Sequence, residues 1–203
     1  MKVWCLEYKE KNMNNENKLL EYDEVCPYSE GRAAVRKGEF WGYVDENGKL
    51  VSTDFTRSGK PGFPYNYAEP FCDGWAKVHD KVGQDDHCYL IDRNCNPMMV
   101  DGEYISSGDT MRNGVSIVGF DCFEDYRKCL VDKDCHVLSD RFEEISYIGK
   151  KGIPYSDFGI YAMVRNGYKY GLLNVKSFKL ELPCEYGWTD FWEEIERLGI
   201  SFE

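Results

Sequence analysis

The chain has 203 residues, 15% of them aromatic, and a formal net charge of −11 at pH 7. The aromatic content excludes a disordered chain, and the negative charge argues against nucleic acids and anionic membranes as partners. No apolar run approaches the roughly 18 residues of a membrane-spanning helix, and no apolar segment follows Lys2 as a secretory signal requires. We therefore expect a cytoplasmic protein. Its nine cysteines, which include no Cys-x-x-Cys pair, are expected to be reduced thiols.

The chain is predicted to be a single repeat domain, 1–203. It consists of an N-terminal strand or loop, four copies of one unit, and a partial lead-in with a C-terminal helix, with the bounds 1–19, 20–69, 70–107, 108–152, 153–184 and 185–203. A glycine follows the lead-in of each copy, at intervals of about 40–45 residues: Gly31, Gly74, Gly114 and Gly159. We expect these glycines to share one local backbone shape.

The pattern after each glycine predicts three antiparallel strands. A short apolar run forms the first strand, and the second ends in two apolar residues before a turn-forming Asp or Asn, namely Asp45, Asp92, Asp132 and Asn174. Gly48 then suits a left-handed bulge in the first copy. The corresponding residues in the other copies suit it less well, so we expect looser or different turns there: Cys95, Cys135 and Ser177.

The C-terminal residues predict one helix. Asp190 and Glu193 form a capping-box pattern, Phe191 and Leu198 are expected to pack on the last strand, and Gly199 is a natural stop. Residues 181–203 carry seven acidic groups against the single basic Arg197. This charge is interpreted as a solvated face, with a docking face for a basic partner as the alternative.

The first copy resembles the WG-repeat (KWG) family of bacterial β-repeat proteins. The resemblance rests on the lead-in at 22–25, the segment 28–35 around Gly31, Trp41-Gly42-Tyr43-Val44-Asp45, and Gly48-Lys49. It implies an all-β fold of four antiparallel three-stranded repeats in an open array with a short C-terminal helix; the alternative is a closed, propeller-like ring. It implies no reaction and no catalytic residues.

The residues themselves favour turns and packing over chemistry. The usual catalytic motifs are absent, and the recurrent Asp45, Asp92 and Asp132 are explained by their turn positions. The Cys and His spacings match no standard metal site. We expect no cofactor, no metal and no enzymatic activity.

The candidate contact residues lie mainly in the segment 56–70, which joins the first two copies. Its two cations, Arg57 and Lys60, accompany the aromatic rings of Phe63 and Tyr65, and long loops with aromatic rings are often functional. The alternative is that these rings fold back as the lead-in of the second copy. Trp41 and Trp75 are further binding candidates, although packing is the preferred interpretation of Trp41, beside Gly42.

Three functions compete. A non-catalytic module that binds another protein, as a bacterial accessory, regulatory or immunity-type protein, agrees best with the repeats, the acidic charge and the missing motifs. A binder of glycans or small ligands would use Trp41 and Trp75. A hydrolase would need carboxylates or a Cys–His pair brought together in a cleft.

Overall fold

The structure, a computed structural model of the chain, describes residues 19–51, 63–82, 85–120, 126–148 and 160–200. Contacts divide the chain into two compact units, Met1–Ser116 and Ile117–Glu203. Strands dominate the described residues, and none of their sheets closes into a barrel, so the predicted all-β class is confirmed. No helix in the described part of the chain is long and apolar enough to cross a membrane.

The described residues of the first unit form two sheets and a hairpin. The first sheet is antiparallel and consists, in order, of β1 (Glu24–Val25), β2 (Arg32–Lys37), β3 (Phe40–Asp45) and β4 (Leu50–Val51). The second sheet begins with the antiparallel strands β5 (Tyr67–Ala68), β6 (Ala76–Val82) and β7 (Asp85–Ile91). The hairpin of β8 (Met99–Val100) and β9 (Glu103–Tyr104) follows, and β10 (Ser107–Gly108) returns parallel to β7.

The second unit starts within β11 (Val115–Phe120), which is followed by β12 (Arg127–Asp132). An antiparallel sheet then consists, in order, of β13 (Glu144–Tyr147), β14 (Tyr161–Asn166), β15 (Lys169–Asn174) and β16 (Lys179–Tyr186). The helix α1 (Trp188–Arg197) ends this unit. The lead-in segments, which precede the three predicted strands of a copy, thus form the strands β1, β5 and β13.

Three of the anchor glycines have the same backbone shape. The φ angles are 51° and 78° at Glu30-Gly31, 53° and 90° at Asp73-Gly74, and 51° and 72° at Asn113-Gly114. Positive φ at both central residues defines a type I′ turn, which matches the twist of the strands that it joins. The prediction of one shared shape is confirmed for these three, while Gly159 lies outside the described residues.

These turns are also linked from copy to copy. The N–H of Gly74 donates a hydrogen bond of 2.9 Å to the carboxylate of Glu30, and the N–H of Gly114 donates one of 2.8 Å to the carboxylate of Asp73. Each acidic side chain at a turn therefore binds the backbone of the next copy's turn. Burial acts to raise the pKa of Glu30, but Arg93 and the N–H of Gly74 outweigh it, so its pKa lies below the ordinary value.

The turn after each recurrent Asp contradicts the expectation of looser or different turns in the second and third copies. Cys95 and Cys135 adopt φ angles of 63° and 67°, close to the 68° of Gly48, so the second and third copies use the same turn as the first. The physical reason is the preceding aspartate, since one oxygen of Asp92 accepts two backbone N–H groups at 2.8 Å. These bonds offset the cost of about 1–2 kcal/mol for a left-handed non-glycine residue. Only the fourth copy differs, with Phe178 at φ 58°.

Small apolar clusters hold the sheets together. In the first unit, Ala33, Val35 and Val44 are fully buried. In the second, Leu172 and Leu182 of the sheet are covered by Phe191 and Ile195 of α1. Burying such side chains contributes about 1.5–3 kcal/mol each, so α1 stabilises the last sheet by covering its apolar face.

The helix begins earlier than the sequence predicted. Its N-cap is Gly187, without a side-chain cap, and Asp190 lies in the first turn, so the capping-box prediction is wrong. The N–H of Phe191 donates to the carbonyl of Gly187 at 2.9 Å and thereby starts the helix before Asp190. Leu198 is 44% exposed as the C-cap and does not join the core. Gly199, at φ +66°, ends the helix as predicted.

Candidate functional site

The predicted contact segment is folded into the first unit where the structure describes it. Tyr65 is 1% exposed, and its backbone pairs with that of Trp41 through hydrogen bonds of 2.7 and 3.3 Å. Its ring lies 6.2 Å from that of Tyr43. This placement favours the packing interpretation, because a buried ring offers no surface to a partner.

The other candidates from the sequence are only partly accessible or lie outside the described residues. Phe63 is half-buried against Tyr22, with ring centroids 6.0 Å apart. Trp75 is also half-buried, next to the turn at Asp73-Gly74. Arg57 and Lys60 lie outside the described residues. Binding roles for these four residues therefore stay predictions.

Trp41 belongs to a row of side chains that crosses the first sheet. Glu24 pairs with Arg36, and Arg36 pairs with Trp41 on the next strand. The carboxylate of Glu24 accepts a hydrogen bond of 3.1 Å from Arg36, whose guanidinium lies 6.0 Å from the centre of the Trp41 ring. The same guanidinium donates to the carbonyl of Gly38 in the adjacent turn at 2.8 Å.

The fourth copy contains the same row. Glu144 pairs with Arg165, and Arg165 pairs with Tyr170. Arg165 donates hydrogen bonds to Glu144 at 3.3 Å, to Glu143 at 2.9 Å and to the carbonyl of Gly167 at 2.7 Å. This row was not predicted, although the sequence of both copies shows the signal: an arginine two residues before a turn glycine and five before an aromatic residue followed by glycine.

The glycine after the aromatic residue has a steric reason. A Cβ added at Gly171 would lie 2.8 Å from the carbonyl oxygen of Leu182 and 3.0 Å from the backbone nitrogen of Cys184. The backbone of β16 therefore approaches β15 more closely than any side chain would allow. This finding supports the interpretation of Tyr170-Gly171, the counterpart of Trp41-Gly42 in the fourth copy, as a structural pair.

The recurrent aspartates act as turn caps. One oxygen of Asp45 accepts the N–H groups of Asn47 and Lys49, both at 2.9 Å. Burial acts to raise the pKa of Asp45, but these hydrogen bonds outweigh it and hold the pKa below its ordinary value. A carboxylate held ionised by its own turn is poorly suited to proton transfer near neutral pH.

The Asp132–His136 pair is the nearest approach to a reactive arrangement. One ring nitrogen of His136 lies 3.0 Å from the carboxylate of Asp132, and this contact raises the pKa of the exposed histidine. Burial, followed by Asp132 and Asp134, raises the pKa of the neighbouring Cys135, so its thiol is not activated as a nucleophile. Among the described residues, no three His, Cys, Asp or Glu side chains could hold a metal ion.

The second unit carries a set of neighbouring aromatic side chains that was not predicted from the sequence. The ring of Tyr170 lies 5.1 Å from that of Trp188, which lies 5.6 Å from that of Trp192. We call these three residues the aromatic strip. Trp188 is 54% exposed, whereas Phe191 beside it is buried. The spacing of Trp188 and Trp192, one helical turn apart, was the signal that could have revealed the strip.

The helix that carries Trp188 and Trp192 has an excess of negative charge. Arg165, next to Tyr170, is already bound by Glu143 and Glu144, and Arg197 is bound by Glu194. The exposed acidic groups of α1 have no basic partner within the described residues: Asp190, Glu193 and Glu196. Glu196 follows Trp192 by one helical turn, which places its carboxylate on the same side of α1. The strip thus combines an exposed indole with an acidic flank.

One family model of known proteins matches the sequence of the first copy. The family model described as WG containing repeat matches residues 18–39. This match covers the lead-in, the turn at Glu30-Gly31 and all of β2, and it confirms the predicted resemblance. No curated protein matches the chain.

Among solved structures, the chain is similar to one described as the crystal structure of the tricorn protease, with a TM-score of 0.30 and 11% identity. The similarity covers 79% of this chain but only 16% of that one.

Proposed function

We propose that the protein is a non-catalytic module that binds another protein. Its first copy matches the family model of the WG containing repeat, and that family's unit implies an architecture rather than a reaction. The protein would act as a bacterial accessory, regulatory or immunity-type protein in the cytoplasm. The observation that supports this proposal most is the aromatic strip, where Trp188 is 54% exposed at the start of α1.

The strip has the composition of a protein-binding hot spot. Trp and Tyr are enriched among the residues that dominate binding energy, because they supply a large contact area with few rotatable bonds. The folding of α1 is already explained by the burial of Phe191 and Ile195. Trp188 instead leaves more than half of its surface in water, next to two further aromatic rings.

The arrangement of the other polar groups supports a binding role over catalysis. The recurrent aspartates cap their own turns, and the anchor carboxylates of Glu30 and Asp73 bind the backbone of the next copy. Both sets therefore have structural partners, which leaves the exposed aromatic strip as the best candidate for contact with another molecule.

The proposal is tested by crosslinking and capture at endogenous expression levels in the native host. The wild-type protein is compared with Trp188→Ala, and with Tyr104→Ala as the matched control, because Tyr104 is an exposed ring of the first unit with 49% exposure. We expect a protein partner that the wild type and Tyr104→Ala retain and that Trp188→Ala loses. Circular dichroism confirms that each variant is folded.

Two results would overturn the proposal. One is that no protein is captured above background in a manner that depends on Trp188. The other is a hit on a glycan array that is lost with Trp188→Ala, because this would assign the strip to sugar stacking instead.

A further inference from the structure

We infer that the aromatic strip binds a positively charged segment of its partner, with a Lys or Arg side chain placed against Trp188. This inference rests on the proposed function and specifies the partner's chemistry. It follows from two properties of the same surface, namely the exposed indole of Trp188 and the excess of negative charge beside it.

The first step is the affinity of the ring itself. The face of an indole attracts cations more strongly than a Tyr or Phe ring does, and the attraction is worth about 0.5–1 kcal/mol at exposed sites and about 2 or more where water is excluded. The first copy has this arrangement within the chain, where Arg36 lies 6.0 Å from the centre of the Trp41 ring. The ring of Trp188 contacts the aromatic rings of Tyr170 and Trp192 and stays more than half exposed.

The second step is the charge that surrounds the ring. Residues 181–200 contain six acidic groups and one basic group, Arg197, which is held by Glu194. Arg165, which pairs with Tyr170 across the sheet, is shared between Glu143 and Glu144. The exposed Lys169 precedes Tyr170 in β15, so its side chain lies on the opposite face of the sheet. An anionic or neutral segment would therefore meet uncompensated carboxylates, whereas a basic segment would neutralise them and gain long-range steering.

The spacing of the carboxylates along α1 defines how many basic residues the partner segment needs. The exposed carboxylates of Glu193 and Glu196 are three residues apart on α1, and Glu196 is one turn beyond Trp192. One cation on the strip and a second at these carboxylates would engage both features together. The partner segment is thus expected to carry at least two basic residues.

The test uses the full chain and two defined probes, a ten-residue peptide of alternating Gly and Arg and its Gly–Glu counterpart, with affinity measured by calorimetry. We expect the Arg peptide to bind and the Glu peptide not to bind. Trp188→Ala should weaken binding of the Arg peptide about fivefold or more, although it leaves the net charge unchanged. Tyr104→Ala should bind as the wild type does.

Two further variants separate the contribution of the Trp188 ring to peptide binding from that of the carboxylates. Trp188→Phe keeps an aromatic ring and should retain part of the affinity, which guards against a loss caused by misfolding. Glu193→Gln with Glu196→Gln should weaken binding and flatten its dependence on salt. Equal binding by wild type and Trp188→Ala would overturn the inference, because it would show that the Arg peptide binds through general charge alone.

The two proposals fail in different ways. A native partner that is lost with Trp188→Ala, but whose crosslinked segment is neutral or acidic, would leave the proposed function intact and refute the basic segment. A partner that binds independently of Trp188 would refute both.

Discussion

The link between turns of successive copies gives a quantitative prediction. Replacing Asp73 by alanine removes the hydrogen bond of 2.8 Å from the N–H of Gly114. A hydrogen bond to a charged group contributes about 1.5–3 kcal/mol when it is shielded, but Asp73 is exposed, and solvent screening reduces the value to about 1 kcal/mol. Alanine also tolerates the left-handed conformation at φ 53° less well than aspartate does. The total loss therefore contains two contributions that a control must separate.

Asp101 supplies that control. It has φ 52°, precedes Gly102 in the same kind of turn and is exposed, but its carboxylate accepts no hydrogen bond from another copy within the described residues. Asp101→Ala thus carries the conformational cost alone. We expect Asp73→Ala to lower the free energy of unfolding by about 1 kcal/mol more than Asp101→Ala does, which shifts the urea midpoint by about 0.3–1 M further. Equal midpoints for the two variants would refute a stabilising role for the link.

Two other predictions concern the close strand contact and the exposed histidine. Gly171→Ala should lower the free energy of unfolding in urea by about 1–3 kcal/mol, because its Cβ would lie 2.8 Å from the carbonyl oxygen of Leu182. The control Gly187→Ala should lower it less, because its Cβ meets only a flexible side chain at 3.3 Å. A wild-type urea midpoint for Gly171→Ala would contradict the close approach of the two strands. His136 should titrate by NMR above its ordinary pKa of 6.5, because Asp132 hydrogen-bonds its ring, and Asp132→Asn should return the midpoint towards 6.5. Since the pKa of His136 is raised in the folded state, the stabilisation from this pair is full below the pKa of the unfolded state. It is lost as pH rises through the pKa of the folded state. An unchanged titration midpoint of His136 in Asp132→Asn would exclude the carboxylate as the cause of the raised pKa.

The features that the sequence predicted well are those that the backbone itself requires. A type I′ turn needs positive φ at two successive residues, which favours glycine at the second. The turns can therefore be recognised in the sequence from Gly31, Gly74 and Gly114. The aspartate that ends a strand is equally readable, because its side chain caps the turn through local hydrogen bonds. The strand pattern and the class of the fold follow from these marks and from the apolar runs between them.

The features that the sequence did not predict depend on partners distant in the chain. The bond between Asp73 and Gly114 joins residues 41 positions apart, and no local pattern distinguishes Asp73 from Asp101. Cys95 adopts a conformation that glycine would favour because Asp92 holds its turn. The exposure of Trp188 follows from the way in which α1 covers the sheet, and a spacing of one helical turn alone does not say which aromatic residue is buried.

The four copies diverge according to what each position does for the backbone. The glycine turn and the aspartate turn recur even where the rest of the motif is lost, because changing them would strain the chain. Among the residues that the structure describes, the row of acid, arginine and aromatic residue occurs in the first and fourth copies; in the second copy the corresponding row is Tyr67, His79 and Cys88. This row lies on a half-exposed face of the sheet, where many different side chains are compatible with the fold. Its variation therefore provides each copy with a different surface on a common frame. At the fourth copy, that difference takes the form of Trp188 of the following helix α1 packed on Tyr170.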